Sequence, residues 1–217
     1  METTALILYM KAIKRSPLSL TLPFLALTPV FMIFTSYLIL GEKVDKYGIV
    51  GILFVAIGAY LLNVTTTKKG ILEPFRAIRC ERGSLYMILV AFIYSITSNL
   101  GKMAILHSSP LFFSATYLPM LAIASFPALM WKNQRRPKNV LSHVGMFSLI
   151  GLAVALSTTA HFLAVNLIEV SYVISVKRTS LLFGIVYGAL WFKEKNITER
   201  LIGGIVMIIG VVIITLF

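Results

Sequence analysis

Two adjacent basic residues, Lys177 and Arg178, stand inside an apolar run, Val170 to Phe192, that is long enough to cross a bilayer. A basic residue near the centre of a membrane helix costs about 2.5–3.5 kcal/mol on insertion scales. A charge at this depth requires water or a partner, so the pair is a candidate site for a carboxylate or phosphate in a water-filled cavity. The alternative is a structural pair, satisfied by helix carbonyls, by a carboxylate of another helix or by snorkelling.

Neighbouring residues point about 100° apart on an α-helix, so Lys177 and Arg178 cannot both face one ligand directly. We therefore expect one of them to bind and the other to pair elsewhere or to reach the interface. Glu169 lies about 12 Å along the helix from Lys177, which is too far for direct contact.

A second polar group lies in the sequence YSITSNLGKMAIL, where Ser95, Ser98, Asn99 and Lys102 are spaced as one stripe of a helix. In lipid such a stripe faces the bundle interior or a cavity. The stripe predicts a cavity lining that includes Tyr94, with Lys102 as a further cationic contact. The alternative is interhelical packing by the serines and Asn99, with Lys102 reaching the interface.

His161, in the sequence ALSTTAHFLAVN, completes the candidate residues. An imidazole titrates near neutral pH and could carry protons for a coupled transporter, but we favour the alternative, a hydrogen-bonded histidine with a packing role. Glu42 and Glu194 follow apolar runs, and we expect both to belong to the joints between helices.

The composition places these residues in a membrane protein. Of 217 residues 58% are hydrophobic and 13% are charged, and the mean hydropathy is +0.90. A soluble domain cannot bury that much apolar surface. The runs are continuous, which predicts an all-α polytopic bundle rather than a β-barrel. About seven runs can span, and a partial N-terminal helix at 3–12 precedes them: 17–40, 47–64, 85–106, 110–130, 143–165, 170–192 and 200–217.

Charge and motif content exclude several other classes. The formal net charge is +12, but the basic residues mostly lie between apolar runs, which indicates topology-setting loops facing anionic lipid rather than a nucleic-acid surface. With one cysteine, Cys80, neither an intramolecular disulfide nor a cysteine metal site is expected. Neither a phosphate loop nor a metal-ligand spacing nor a hydrolase triad stands out, so we predict neither an enzyme nor a cofactor.

An internal repeat is the strongest pattern in the chain. A shift of 152 residues superposes the first 65 residues on the last 65 without a gap. Glu42-Lys43 falls on Glu194-Lys195, and Gly51 and Gly58 fall on Gly203 and Gly210. The second copy contains five runs, and an odd number inverts the topology of one copy relative to the other. The first copy lacks about 70 residues by the same arithmetic.

The repeated segments resemble the EamA type of the drug/metabolite transporter superfamily. The features that carry the resemblance are the proline-bearing helix with Pro23 and Pro29, the Gly41-Glu42 pair and the glycine-spaced helix that follows. The resemblance implies ten helices in two inverted five-helix halves. Here residues 1–65 would be the end of a truncated first half, 66–84 a polar connection and 85–217 a complete second half.

The resemblance also implies a permease that moves a small metabolite by alternating access. A Lys-Arg pair similar to that at 177–178 binds the anionic substrate in the phosphate-translocator branch. We therefore expect a small polar, anionic or zwitterionic substrate, bound by Lys177 and Arg178 with four further residues lining the path: Lys102, Asn99, Tyr94 and His161. The alternative is a non-transporting membrane scaffold or partner subunit that has lost its cavity.

The expected surroundings are a lipid bilayer, in a multi-pass arrangement in the inner or plasma membrane, with no nucleic acid. A homodimer or a partner chain would supply the helices missing from the first half. The orientation is contested, because the bias of lysine and arginine predicts an external C-terminus, whereas the resemblance implies that both ends are cytoplasmic.

Overall fold

The computed structural model describes residues 1–16, 22–64, 82–132, 144–180, 182–183 and 197–216. Over these residues the chain is helical without strands, which confirms the all-α prediction. The elements are α1 (Glu2–Arg15), a 3₁₀ helix (Leu22–Leu27), α2 (Thr28–Leu40), α3 (Lys46–Val64), α4 (Arg82–Leu106), α5 (Pro110–Lys132), α6 (Val144–Leu167), α7 (Val170–Arg178) and α8 (Ile197–Leu216).

The helices match the predicted apolar runs, with different lengths. Among the described residues, three segments are long and apolar enough to cross a bilayer: Arg82–Leu106, Pro110–Pro127 and Val144–Leu167. Phe24–Leu40, Lys46–Leu61 and Ile202–Leu216 are shorter apolar helices. Much of the run 170–192 lies outside the described residues; α7 covers Val170–Arg178, and helical residues resume at Ser180.

The chain divides into two compact units, residues 1–100 with 169–217 and residues 101–168. The predicted boundaries at residues 65, 66–84 and 85 remain a prediction. The connection that they define lies largely outside the described residues, and α4 begins at Arg82.

In the first unit α3 and α8 pack backbone against backbone along a glycine seam, formed by Gly51, Gly58, Gly203 and Gly210. A Cβ on Gly51 would lie 2.8 Å from the Gly210 carbonyl, and one on Gly58 would lie 2.6 Å from the Gly203 carbonyl. From Gly51 to Gly58 the residue numbers rise along α3, while those of their partners on α8 fall from Gly210 to Gly203, so the two helices are antiparallel. Since the 152-residue shift converts 51 into 203 and 58 into 210, each contact is the image of the other, as a pseudo-two-fold axis between inverted repeats requires.

Apolar packing surrounds this seam. Val55 and Met207, which are equivalent under the shift, are both fully buried and share one core cluster with Ala26 and Ala59. The close approach that glycine permits is the device by which membrane helices gain van der Waals contact without a hydrophobic driving force.

In the second unit α5 packs on α6 through aromatic rings. Phe162 makes edge contacts with Phe113, at 4.8 Å between ring centroids, and with Tyr117, at 5.3 Å. On α6 large apolar side chains are exposed, among them Met146, Leu149, Leu152 and Leu156. Exposed apolar side chains thus lie on several sides of α6, as in a helix surrounded by lipid.

Candidate functional site

Two helices of the first unit are interrupted at equivalent positions by a change between 3₁₀ and α-helical turns, while the backbone of Leu27 and Thr179 stays in the right-handed helical region. In the first copy the 3₁₀ helix ends at Leu27 and α2 begins at Thr28. In the second copy α7 ends at Arg178, and the chain continues through tighter turns in which the Thr179 N–H binds the Val176 carbonyl and the Leu182 N–H binds the Thr179 carbonyl. The 152-residue shift places Leu27 on Thr179. Paired interruptions of this kind mark the binding region in transporters built from inverted repeats.

The two interruptions meet through one side-chain contact. The Arg178 guanidinium donates from Nη2 to Thr28 Oγ1 at 3.1 Å. Thr28 is 2% exposed and donates its own proton to the Leu25 carbonyl at 2.8 Å. Its hydroxyl is therefore oriented by the 3₁₀ turn to accept from Arg178. Residue types alone did not single out Thr28; the register of the repeat, which sets it beside the first interruption, is the signal that could have done so.

The guanidinium retains unused donor capacity. Arg178 Nε is buried and lacks a hydrogen-bond partner, and within the described ranges no carboxylate pairs with this side chain. A buried polar group without a partner costs free energy comparable to a lost hydrogen bond.

Lys177 and Arg178 diverge, as their adjacent helix positions predict. Arg178 is partly buried and contacts α2, whereas Lys177 is exposed. Tyr94 lies within electrostatic range of Arg178 and packs against an apolar cluster of Ala12, Phe24, Met87 and Val90. The structure therefore brings Tyr94 and Arg178 into one neighbourhood.

Asn99 is the centre of a buried polar network that joins α4 to α2. Its amide nitrogen donates to Thr35 Oγ1 at 2.9 Å and to the Ser95 carbonyl at 2.8 Å, and its amide oxygen accepts from Ser36 Oγ at 3.0 Å. Ser36 also bonds Ser171 Oγ of α7 at 3.1 Å. Asn99 is fully buried, so in this conformation it ties helices together.

Lys102 and His161 belong to the second unit. Lys102 is 8% exposed, and its ammonium group donates to the Ile168 carbonyl at 2.7 Å. This bond lies just beyond the last residue of α6, where carbonyls are in excess and a cation is favourable. The His161 ring lies 5.5 Å from the Phe162 ring, beside the aromatic contacts of α5. Their roles as substrate contacts remain predictions.

The joint between α2 and α3 also contacts α7. Gly41 ends α2 in the left-handed conformation, at φ 72°. The Val170 N–H then donates to Glu42 Oε2 at 3.3 Å, and the Tyr172 hydroxyl donates to Asp45 Oδ1 at 2.5 Å. This hydrogen bond from Tyr172 holds the pKa of the Asp45 carboxyl below its usual value, and bonds from the Gly48 and Tyr47 N–H groups act in the same direction. Glu194 lies outside the described residues.

An apolar cleft of about 350 Å³ opens between the 3₁₀ helix, α2 and α3. Its lining consists of Phe24, Ala26, Leu27, Val30, Leu53, Ala56, Ile57 and Tyr60. A polar ligand would find almost no hydrogen-bond partner there, so the cleft does not compete with Arg178 as a site for an anion. In the part of the chain that the structure describes, no group of three His, Cys, Asp or Glu side chains could hold a metal ion.

Comparison with known proteins agrees with this architecture. The EamA-like transporter family matches residues 1–64 and 81–216. An uncharacterized transporter from Archaeoglobus fulgidus is 24% identical over 214 residues, which cover 96% of this chain and 69% of that relative. No solved structure matches the chain. With its apolar helices and a family match over most of its length, the chain is a multi-pass membrane protein that belongs to the EamA-like transporter family.

Proposed function

We propose that this transporter is a permease for a small polar metabolite, anionic or zwitterionic, which it moves by alternating access. Membership of the EamA-like transporter family supports transport as the activity. The chemical class of the substrate is inferred from Arg178, because a guanidinium recognises carboxylate and phosphate oxygens with two parallel hydrogen bonds.

The observation that carries the proposal is the meeting of the two interrupted helices at the Arg178–Thr28 hydrogen bond. Arg178 reaches this point from the second copy of the repeat, and Thr28 from the first. With Thr28 holding Nη2 and no described carboxylate neutralising the charge, the buried Nε retains an N–H that can donate to an anion. An anion would supply both the countercharge and the hydrogen bonds that the buried Nε lacks.

We assign different weights to the six predicted site residues. Arg178 is the primary contact, and Tyr94 is proposed to line the path. Lys177, which is exposed, attracts the anion through its charge rather than by direct contact. Asn99 ties α4 to α2, and Ser36 extends that network to α7. Lys102 and His161 are proposed to line the path in the second unit. The proposed location is the inner or plasma membrane, and the proposed partners are a second copy or another chain.

The test is a thermal-shift screen of the detergent-solubilised protein against anionic, zwitterionic and cationic metabolites. A ligand present at 100 times its Kd stabilises the native state by about 2.7 kcal/mol, a readily measured shift. Arg178→Gln should abolish stabilisation by the anion, while Lys14→Gln, which removes an exposed charge from the end of α1, should not. Equal stabilisation of Arg178→Gln and the parent would exclude Arg178 as the contact.

Uptake into vesicles of the compound found in the screen tests the transport step itself. The parent should accumulate the compound and Arg178→Gln should not. Absence of uptake together with a co-purifying partner chain would favour the alternative, a non-transporting scaffold or partner subunit.

A further inference from the structure

Two side chains of the segment Gly41–Asp45 form hydrogen bonds with the first turn of α7, which is distant from this segment in sequence. Glu42 accepts from the Val170 N–H at 3.3 Å, and Asp45 accepts from the Tyr172 hydroxyl at 2.5 Å. The partners are separated by 128 and 127 residues. Gly41–Asp45 belongs to the first copy of the repeat, and α7 belongs to the second.

Backbone hydrogen bonds orient Asp45 independently of its bond with Tyr172. Its two carboxylate oxygens accept from the Tyr47 N–H at 3.2 Å and the Gly48 N–H at 3.0 Å, so it forms the N-cap of α3. Gly48 leaves the space that the Tyr172 ring occupies, because a Cβ there would overlap the tyrosine hydroxyl and ring. The Asp45 carboxylate is thus a fixed hydrogen-bond acceptor, and the space beside Gly48 accommodates the Tyr172 ring.

The contacts differ in kind from those elsewhere along α7. Asp45 is exposed, and its bond with Tyr172 is open to solvent, so water can hydrate both groups when the bond breaks and neither is left as a buried unpaired group. Ser171 and Ser175, by contrast, are fully buried. A bond that water can replace is suited to repeated opening, whereas a buried network is not.

We propose that Glu42 and Asp45 form a latch on the N-terminal end of α7, which must open for α7 to move. Arg178 lies eight residues beyond Val170, about 12 Å along the helix, so release at one end of α7 permits a tilt that displaces the guanidinium at the other. The latch rests on the proposed alternating access: it holds the present conformation, and its opening precedes the rearrangement of the Arg178 site.

The test measures access to a buried reporter beneath the latch. Val170 is fully buried, and Val170→Cys in a Cys80→Ser background gives one cysteine whose modification by a membrane-impermeant maleimide can be timed. Tyr172→Phe removes the latch hydroxyl. We expect the cysteine to be modified about tenfold faster, because one hydrogen bond to a charged group is lost. Tyr37→Phe, which removes a hydroxyl from α2 outside the latch, should leave the rate unchanged.

Two further variants separate a latch from general loosening. Asp45→Asn retains an N-cap side chain, and its combination with Tyr172→Phe should label no faster than Tyr172→Phe alone, because both act on one bond. Val55→Cys, which is fully buried on α3, should remain protected throughout. Unchanged labelling of Val170→Cys, or equal acceleration at Val55→Cys, would overturn the latch.

The labelling experiment requires no substrate, so its failure is distinct from failure of the proposed function. Anion binding lost in Arg178→Gln, with labelling unaffected by Tyr172→Phe, would refute the latch alone. If Tyr172→Phe accelerates labelling but no ligand in the thermal-shift screen stabilises the protein, the latch is supported and the substrate assignment is refuted.

Discussion

Identical glycine-to-alanine substitutions should have opposite effects on stability at two kinds of site. Gly58→Ala places a Cβ 2.5 Å from Met207 Cγ and 2.6 Å from both the Gly203 carbonyl oxygen and the Met207 backbone nitrogen. Backbone atoms of a packed helix cannot turn aside, so α3 and α8 must separate. At Gly151, within α6, an added Cβ meets nothing within 4 Å.

The magnitudes follow from two known terms. Overpacking a tight interface costs typically 1–3 kcal/mol, and because backbone atoms are involved we expect Gly58→Ala to cost about 3 kcal/mol. Replacing a helical glycine by alanine returns about 1 kcal/mol. The free energy of unfolding should therefore fall by about 2 kcal/mol for Gly58→Ala and rise by up to about 1 kcal/mol for Gly151→Ala.

The pseudo-two-fold relation extends this prediction. Gly210 is the equivalent of Gly58 and meets the Gly51 carbonyl oxygen at 2.6 Å and the Val55 nitrogen at 2.7 Å, so Gly210→Ala should cost about as much. Reversible unfolding in mixed detergent micelles measures all three variants. A Gly58→Ala variant as stable as Gly151→Ala would refute the backbone-to-backbone seam.

Three other perturbations have defined outcomes. Asn99→Ala removes two side-chain bonds to α2 and should lower stability by about 1–2 kcal/mol in thermal unfolding, unlike Asn166→Ala on the exposed side of α6; equal effects would exclude the network. Thr28→Val preserves shape but removes the acceptor of Arg178 and should weaken anion binding by about tenfold, with Thr28→Ser restoring it; unaltered binding of Thr28→Val would contradict this orienting role. Because the pKa of Asp45 is lowered by Tyr172 and by N–H groups, its bond is intact above the unfolded value of about 3.9 and is lost as pH falls through the lower folded value. The labelling rate of Val170→Cys, divided by the rate of a freely exposed cysteine at the same pH because thiolate reactivity itself rises with pH, should thus be flat between about pH 5 and 8 and rise only in stronger acid. A rise of this ratio near neutral pH would point to another group.

The sequence singled out some of the residues that the structure brings together. Because Lys177 and Arg178 are adjacent on a helix, the sequence implied that only one of them would face a ligand. The interruption of α7 beside them is consistent with charged residues, which a continuous membrane helix does not favour. The choice of Arg178 over Lys177 could not be read from the sequence, because it depends on how α7 is rotated against α2. Thr28 was missed for the same reason, since a threonine in an apolar run carries no signal until its partner is known.

Asn99 shows a different limit. Its stripe with Ser95 and Lys102 correctly placed the residue on a polar face, but a polar face can line a cavity or join helices. The hydrogen bonds to Thr35 and Ser36 connect residues 64 and 63 positions apart, and their geometry depends on the packing of α2 against α4.

What the sequence determined by itself is the membrane bundle and its internal symmetry. Hydropathy over some twenty contiguous residues is a local property, so the positions of the apolar helices can be predicted from the sequence. The 152-residue register likewise identified the glycines that pair across the seam. Only the tertiary structure decided which side chains meet: Arg178 with Thr28, Tyr172 with Asp45, and Val170 with Glu42. These contacts join segments more than 120 residues apart, and their formation depends on the rotation and tilt of whole helices, which packing sets and composition does not.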